Sequence, residues 1–273
     1  MERLFYENQK MYLKHLTSFE IIHEQTNGES VQEFLMRVDN KKCSEAEFSQ
    51  RDNLFLGQRM QDDNIYRGVV LEGIPATYTQ TLEIINNISS NTSLKPSQIN
   101  EIISLKRAWD YILDSTNYEN EQVINLAFIK KIHAIIGANM ATLHVDQIGN
   151  LRTTPIFVGG VKNHDFGMPD EEEIRNELQE ISLMADPTIH ALKLYLYLCR
   201  SQMFRDGNKR TANICANYFM IQNACGLLTI KEELVPDFKI LLVNWYETGD
   251  DTDMINFLLN KCYVYNIAGQ TFL

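Results

Sequence analysis

Apolar residues return every three to four positions through most of the second half of the chain, the spacing of helices with one buried face. Ile102, Leu105, Trp109 and Ile112 mark one such helix, and Ile124, Phe128, Ile132 and Ile135 mark a second. Pro169-Asp170-Glu171-Glu172-Glu173 opens a third: Asp170 caps it, the acids suit the positive end of its dipole, and Ile174, Leu178 and Ile181 form its buried face. Pro187 is expected to end it. Ile189, Leu192, Leu196 and Cys199 then recur while Tyr195, Tyr197 and Leu198 fill the other faces. A helix apolar nearly all round is a buried helix. Its expected span is Pro187–Gln202, and a neighbouring helix marked by Ala212, Ala216, Phe219 and Met220 is expected over Asn208–Gln222. Two late helices follow, one on Phe238, Leu241, Leu242 and Trp245, the other on Ile255, Leu258, Leu259 and Cys262.

The first third shows less periodicity. Residues 1 to 65 are polar and mixed, with a turn at Gly28 and a capping-box spacing at Ser44-Glu45-Ala46-Glu47. Tyr66 to Pro75 reads as a short helix closed by Gly73 and Pro75. Thr77 and Gln80 form a second capping box ahead of a stripe at Leu82, Ile85 and Ile88, and a polar linker covers Asn86 to Ser97. Gly149 to Gly160 is the one convincing β segment: Ile156, Phe157 and Val158 favour a strand, and glycine and proline punctuate both sides. The fold class expected is all-α with one small β-hairpin. Two regions are expected: an N-terminal helical region over 1–95, which includes the short helix at 66–73, and a core over 96–273 ending in the C-terminal helices.

Composition narrows the function classes. A hydrophobic fraction of 44% with 22% charged residues is ordinary for a globular chain with a full core. A net charge of −11 argues against a nucleic-acid partner, because phosphate backbones are bound through excess Lys and Arg. No run of about 18 apolar residues is present, so no membrane span is expected. Cys43, Cys199, Cys215, Cys225 and Cys262 are odd in number and scattered, without metal-ligand spacing. Buried thiols in a reducing compartment, and a cytoplasmic location, are the expectation. His133 lies beside an apolar stripe and reads as structural, and His164 reads as a loop histidine.

Candidate chemistry concentrates between the two central helices. Arg205-Asp206-Gly207 is a short polar turn that opens directly into the second of them. The unpaired N–H groups and the positive dipole end of a helix start form an anion site. Gly207 lets the backbone approach a ligand, Lys209 and Arg210 add positive charge, and Asp206 offers a hard oxygen for Mg²⁺ beside a phosphate. Phe204 is expected to plug the core beneath the turn. Asn208 reads either as a helix N-cap or as a phosphate donor, and Arg210 as a surface arginine or a β/γ-phosphate clamp. Together these residues read as a nucleotide-phosphate cradle.

The stretch Gln202-Met203-Phe204-Arg205-Asp206-Gly207-Asn208-Lys209-Arg210-Thr211-Ala212-Asn213 resembles the signature of the Fic/Doc family, His-x-Phe-x-Asp/Glu-Gly-Asn-x-Arg-x-x-Arg. Phe204, Asp206, Gly207, Asn208 and Arg210 match in register. The signature histidine falls on Gln202 and the second arginine on Asn213. In the family that histidine is the base activating a target hydroxyl, usually for AMP transfer from ATP. The resemblance therefore implies ATP and Mg²⁺ as ligands, with Gly207, Asn208, Lys209, Arg210 and Asn213 on the nucleotide and Asp206 on the metal. It also implies that Ile156-Phe157-Val158 is the family's flap, which docks a protein target by strand addition. Many Fic proteins carry an inhibitory Ser/Thr-x-x-x-Glu-Gly/Asn helix. Glu72-Gly73 match its end, while Gly68 stands where Ser/Thr is expected; an ordinary helix-end glutamate is the other reading of Glu72. Lys209-Arg210, without a second signature arginine, is also similar to the Doc branch, which transfers phosphate.

Glutamine does not titrate, so Gln202 cannot serve as a general base, and a missing base typically forfeits about 10²- to 10⁴-fold in rate. Two classes of function stay open: a Fic-type transferase using another base or none, and a Fic-fold regulatory module that binds nucleotide or a protein partner without turnover.

Overall fold

The computed structural model describes residues 49–88, 93–114, 123–162 and 164–265. The expected features at Gly28 and Ser44, and Cys43, lie outside the described residues. The elements in order are α1 Gln50–Arg59, α2 Gln61–Leu71, α3 Tyr78–Ile85, α4 Pro96–Leu113, α5 Leu126–Gly137, α6 Glu171–Ser182, α7 Pro187–Ser201, α8 Asn208–Gln222, β1 Leu227–Leu228, α9 Val235–Thr248, α10 Thr252–Phe257 with a π-helical turn at Leu258–Cys262, and β2 Tyr263–Val264. The protein is mainly helical, and among the described residues no helix is long and apolar enough to cross a membrane.

Helix starts follow the local chemistry. Thr77 and Gln80 form the reciprocal box that opens α3, with Gln80 N–H donating to Thr77 Oγ1 at 3.2 Å and Thr77 N–H to Gln80 Oε1 at 3.0 Å. The Asp170 carboxylate accepts from the N–H groups of Glu172 and Glu173 at 2.8 and 3.0 Å at the start of α6. Pro187 does not end α6, which stops at Ser182; it is the first residue of α7, capped by Asp186. Proline fits there because its missing N–H is one of those a helix start leaves unpaired.

Helix α8 is the hub. It packs against α7, α5, α4, α1 and β1, and Ala212, Ile214, Cys215, Ala216, Tyr218 and Met220 are all fully buried. Its polar interior residues are used as ties. Asn217 exchanges hydrogen bonds with the Leu228 backbone at 2.9 and 3.0 Å, and Asn53 on α1 does the same with Gly226 at 2.6 and 3.0 Å. The backbone of the turn after α8 is thereby satisfied from two sides. On the other flank α2 packs onto α4 at Gly68, where a Cβ would lie 2.6 Å from Leu105 Cδ2. A Ser or Thr at this position would require the Leu105 side chain to shift.

Three expectations change. Ile156–Val158 belongs to no strand; the antiparallel ladder lies instead between β1 and β2, pairing Leu227 with Val264 and Leu228 with Tyr263. With two residues on each strand, period-2 alternation has no length in which to show itself. The apolar face of α5 is also rotated from the expected stripe: Phe128, Ile129, Ile132, His133 and Ile136 are buried, and Ile135 is only partly so. In α3 the buried residues are Thr81, Ile84 and Ile85, while Ile88 lies past the helix end and is 58% exposed.

Candidate functional site

Helix α7 ends at Ser201, and Gln202 turns the chain with φ 44° and ψ 47°, a left-handed conformation uncommon outside glycine and asparagine. The turn throws residues 203–207 back over the helix end. Met203 and Phe204 are each 1% exposed, and the Phe204 ring stacks on the His133 imidazole with centroids 3.8 Å apart and planes 4° from parallel. His133 fixes the loop from below. Its Nδ1 accepts from Gly149 N–H at 3.0 Å, so Nε2 carries the proton and donates to the Asp206 carbonyl at 2.9 Å. Burial pushes this imidazole down to about 4. It is a neutral strut, the structural histidine expected from the sequence.

Gly207, at φ 82°, is the N-cap of α8, and no side chain caps this helix start. A Cβ there would meet only ordinary contacts at 3.5 Å, so the requirement for glycine is the left-handed backbone itself. Asn208 is therefore the first helical residue and not the cap. Its side chain folds back to close the loop: Oδ1 accepts from Phe204 N–H at 2.9 Å, and Nδ2 donates to the Phe204 carbonyl at 2.8 Å and to Gln202 Oε1 at 3.2 Å. Gln202 Nε2 donates to the Cys199 carbonyl at 2.6 Å. Both ends of the Gln202 amide are thus engaged, and the residue is 7% exposed.

These residues floor a cavity of about 420 Å³. Gln202, Arg205, Asp206, Gly207, Asn208 and Lys209 line one side, Ile156 to Gly159 another, Leu71 and Glu72 a third, and Phe238, Leu242 and Tyr246 of α9 the fourth. The Tyr246 phenol is held well above its ordinary range by burial and stays neutral beside Gln202. Phe157 is 99% exposed at the rim.

Electrostatically the helix start is crowded. Glu72, at the C-cap of α2, lies 3.4 Å from Lys209 Nζ and 4.0 Å from Arg210 Nε. Arg210 does not line the cavity. Its side chain, 6% exposed, is held by Glu101 of α4 at 2.7 Å and lies 3.5 Å from Asp206 Oδ1. Asn213 also stands off the cavity, its Nδ2 3.5 Å from the Leu228 carbonyl. Both border a second, much smaller cavity with Asn64, Arg67 and Gly68. Asp206 Oδ2 accepts from Thr142 Oγ1 at 2.7 Å and Oδ1 from Gly207 N–H at 2.6 Å. No group of three or more His, Cys, Asp or Glu side chains placed to hold a metal occurs among the described residues. Asp206 alone still fits Mg²⁺, which commonly takes one carboxylate, waters and substrate phosphates.

Two residues escaped the sequence reading. Glu101 lies outside the apolar stripe of α4, and its partner Arg210 is 109 positions away. Arg152 is 4% exposed and ties the 151–168 segment to the loop. Its Nε donates to the Gln202 carbonyl at 2.7 Å, Nη1 to the Thr154 carbonyl at 2.9 Å, and Nη2 to the carbonyls of Phe166, at 3.2 Å, and Gly167. Its own N–H donates to the Met203 carbonyl at 2.9 Å. An arginine satisfied by carbonyls leaves no spacing signal in a sequence.

Residues 123–220 match the Fic/DOC family model, a span that runs from α5 to the end of α8. The protein adenylyltransferase Fic of Culex quinquefasciatus is 26% identical over 167 residues, covering 58% of this chain and 32% of that protein. The protein adenylyltransferase fic-1 of Caenorhabditis elegans is 25% identical over 162 residues, covering 58% of this chain and 31% of that protein. The chain thus spans about a third of the length of these relatives. Among solved structures, Fic-1 (residues 134–508) from C. elegans superposes with a TM-score of 0.60 at 18% identity, over 77% of this chain and 68% of that one. A Fic-domain-containing signaling protein from Bacteroides thetaiotaomicron superposes with a TM-score of 0.61 at 17% identity, over 75% of this chain and 83% of that one. At these identities the superpositions establish the fold alone.

Proposed function

We propose that residues 123–220, which match the Fic/DOC family model, form a Fic-type domain whose 420 Å³ cavity takes the phosphates of a nucleoside triphosphate, ATP in the first instance, at the start of α8. The observation that carries this reading is the uncapped helix start at Gly207, with Lys209 beside it and the cavity above it. Its first-turn N–H groups and dipole favour a bound anion, and Gly207 removes the side chain that would stand in the way. Asp206 would hold Mg²⁺ against the same phosphates. Bound ATP supplies an activated phosphoryl bond for transfer of AMP; the chain supplies position and electrostatics.

What the chain withholds is a base. Gln202 occupies the place of the signature histidine, and its amide accepts no proton at any working pH. Its two hydrogen bonds make it part of the loop's own bracing. The reading is therefore a domain of the protein adenylyltransferase type, with AMP transfer to a protein hydroxyl strongly impaired. The Ile156–Val158 segment, outside any strand and carrying the exposed Phe157, suits docking of a polypeptide by backbone pairing. Glu72, between Lys209 and Arg210, suits an inhibitory role, acting on the charges of the helix start because Asn213 offers none. The second reading, a nucleotide-binding regulatory module without turnover, is favoured by the doubly engaged Gln202 amide.

Incubation of the protein with α-labelled ATP, followed by detection of labelled protein, tests this. Little or no transfer is expected from the wild type, and a clear rise from Gln202→His. Transfer by the wild type at a rate that Gln202→His leaves unimproved overturns the assignment of position 202.

A further inference from the structure

The two first-turn cations of α8 are both engaged by carboxylates. Lys209 and Arg210 are the two cations, and Glu72, Glu101 and Asp206 are the carboxylates within ion-pair distance of them. Two positive charges face three negative ones within this ion-paired cluster, while Arg205 and Lys239 line the cavity as well. An arriving polyphosphate would meet a helix dipole in its favour and two first-turn cations already engaged by carboxylates.

The tightest of these contacts is the Arg210–Glu101 pair. Glu101 Oε2 accepts from Arg210 Nη1 at 2.7 Å, with the arginine side chain 6% exposed and the glutamate 20%. Arg210 lies on the first turn of α8, whose N-terminal end faces the cavity, yet its side chain lines the small neighbouring cavity instead. Glu101 comes from α4, an element separate from the α2 helix that delivers Glu72. Glu72 meanwhile spreads over Lys209 and Arg210, and its Oε1 is buried without a hydrogen bond. The two carboxylates approach Arg210 from two helices, and Glu72 reaches Lys209 as well.

We propose that Glu101 is a second regulatory carboxylate, which holds Arg210 out of the cavity and acts as an internal substitute for the phosphate that Arg210 would otherwise engage. This rests on the phosphate-site reading above. On this account Glu72 screens Lys209 at the cavity wall, and Glu101 draws Arg210 down and away. High-affinity nucleotide binding then requires Arg210 to exchange Glu101 for the ligand, and that exchange weakens the observed affinity by the free energy of the pair it breaks.

The test is calorimetric titration of the full chain with Mg²⁺-ATP, using wild type, Glu101→Gln, Glu101→Gln with Arg210→Ala, Lys209→Ala and, as a remote charge control, Glu171→Gln. Glutamine keeps the shape and an acceptor for Arg210 Nη1, so the fold is retained, and a thermal melt verifies it. Glu101→Gln should tighten binding about tenfold, within the usual range of intramolecular coupling, and Arg210→Ala should abolish that gain. Glu171→Gln should change nothing, since its partners Lys130 and Arg175 lie off the cavity. Equal or weaker binding by Glu101→Gln, while Lys209→Ala still weakens ATP, overturns the role of Glu101 and leaves the phosphate site standing. A gain that survives Arg210→Ala also overturns it, because charge alone then accounts for the effect. Absence of binding in every variant overturns the phosphate site itself, and the regulatory proposal with it.

Discussion

Replacing Arg152 by methionine tests how the 151–168 segment is held on the signature loop. The guanidinium donates to four backbone carbonyls, those of Thr154, Phe166, Gly167 and Gln202, in a nearly solvent-free position. Methionine restores much of the volume but none of the donors. If each stranded acceptor costs about 1 kcal/mol, at the low end for buried polar groups, the loss is about 4 kcal/mol. Relief from burying a charge that has no carboxylate hydrogen-bonded to it returns part of this, so the net destabilisation is about 3 kcal/mol. At 2–4 °C per kcal/mol for a chain of this size, the melting temperature should fall by about 6–12 °C. Beyond stability, the amides of 153–168 should exchange with solvent faster than those of α5 and α8, because the segment loses its tie to the loop before the core opens. Denaturant titration and hydrogen exchange read the two effects. A change in stability below about 0.5 kcal/mol, with exchange of 153–168 unaltered, would refute the reasoning, since that is the range of ordinary surface substitutions.

Three other outcomes follow from the same geometry. Gly207→Ala should cost about 1–2 kcal/mol, the price of a left-handed backbone for an L-residue, as measured by chemical denaturation. Burial holds the His133 imidazole down at about 4 when folded, against its ordinary 6.5 when unfolded, so the unfolded chain takes up the proton first. Stability should be flat with respect to this group above pH 6.5 and fall by up to about 1.4 kcal/mol per pH unit as pH drops toward 4, about 3 kcal/mol in total; His133→Gln should flatten that limb of the stability–pH curve. Phe157→Ser, at a side chain 99% exposed, should leave the melting temperature within about 1 °C while weakening retention of a docked polypeptide target, read by cross-linking to the Gln202→His protein.

The sequence made much of the helical frame readable because the central helices are driven by local chemistry and strong periodicity. Asn208–Gln222 has the expected bounds, and α7 stops one residue short of its expected end only because Gln202 turns left-handed. The position of Phe204 and the structural role of His133 were legible for the same reason: each is a local consequence of an apolar surface beside a tight turn. The rest of the site depends on contacts that no local pattern records. Arg210 carries the same charge whether it points to a phosphate or to Glu101, and only the placement of α4 decides which. Asn208 reads as a cap until the loop is seen to need its amide. The strand propensity of Ile156–Val158 was real, but a strand needs a neighbour, and among the described residues this segment has none.

The central claim, that the start of α8 is a nucleotide-phosphate site, is tested most directly by titrating Mg²⁺-ATP into the wild-type protein and Lys209→Ala. Lys209 is the cation of the first turn that lines the cavity, and its side chain is 32% exposed, so its removal leaves the buried core intact. The account predicts saturable binding that Lys209→Ala weakens about tenfold, the scale of one lost charge-assisted hydrogen bond. Wild-type binding of equal affinity in both proteins, or no binding by either, would contradict it.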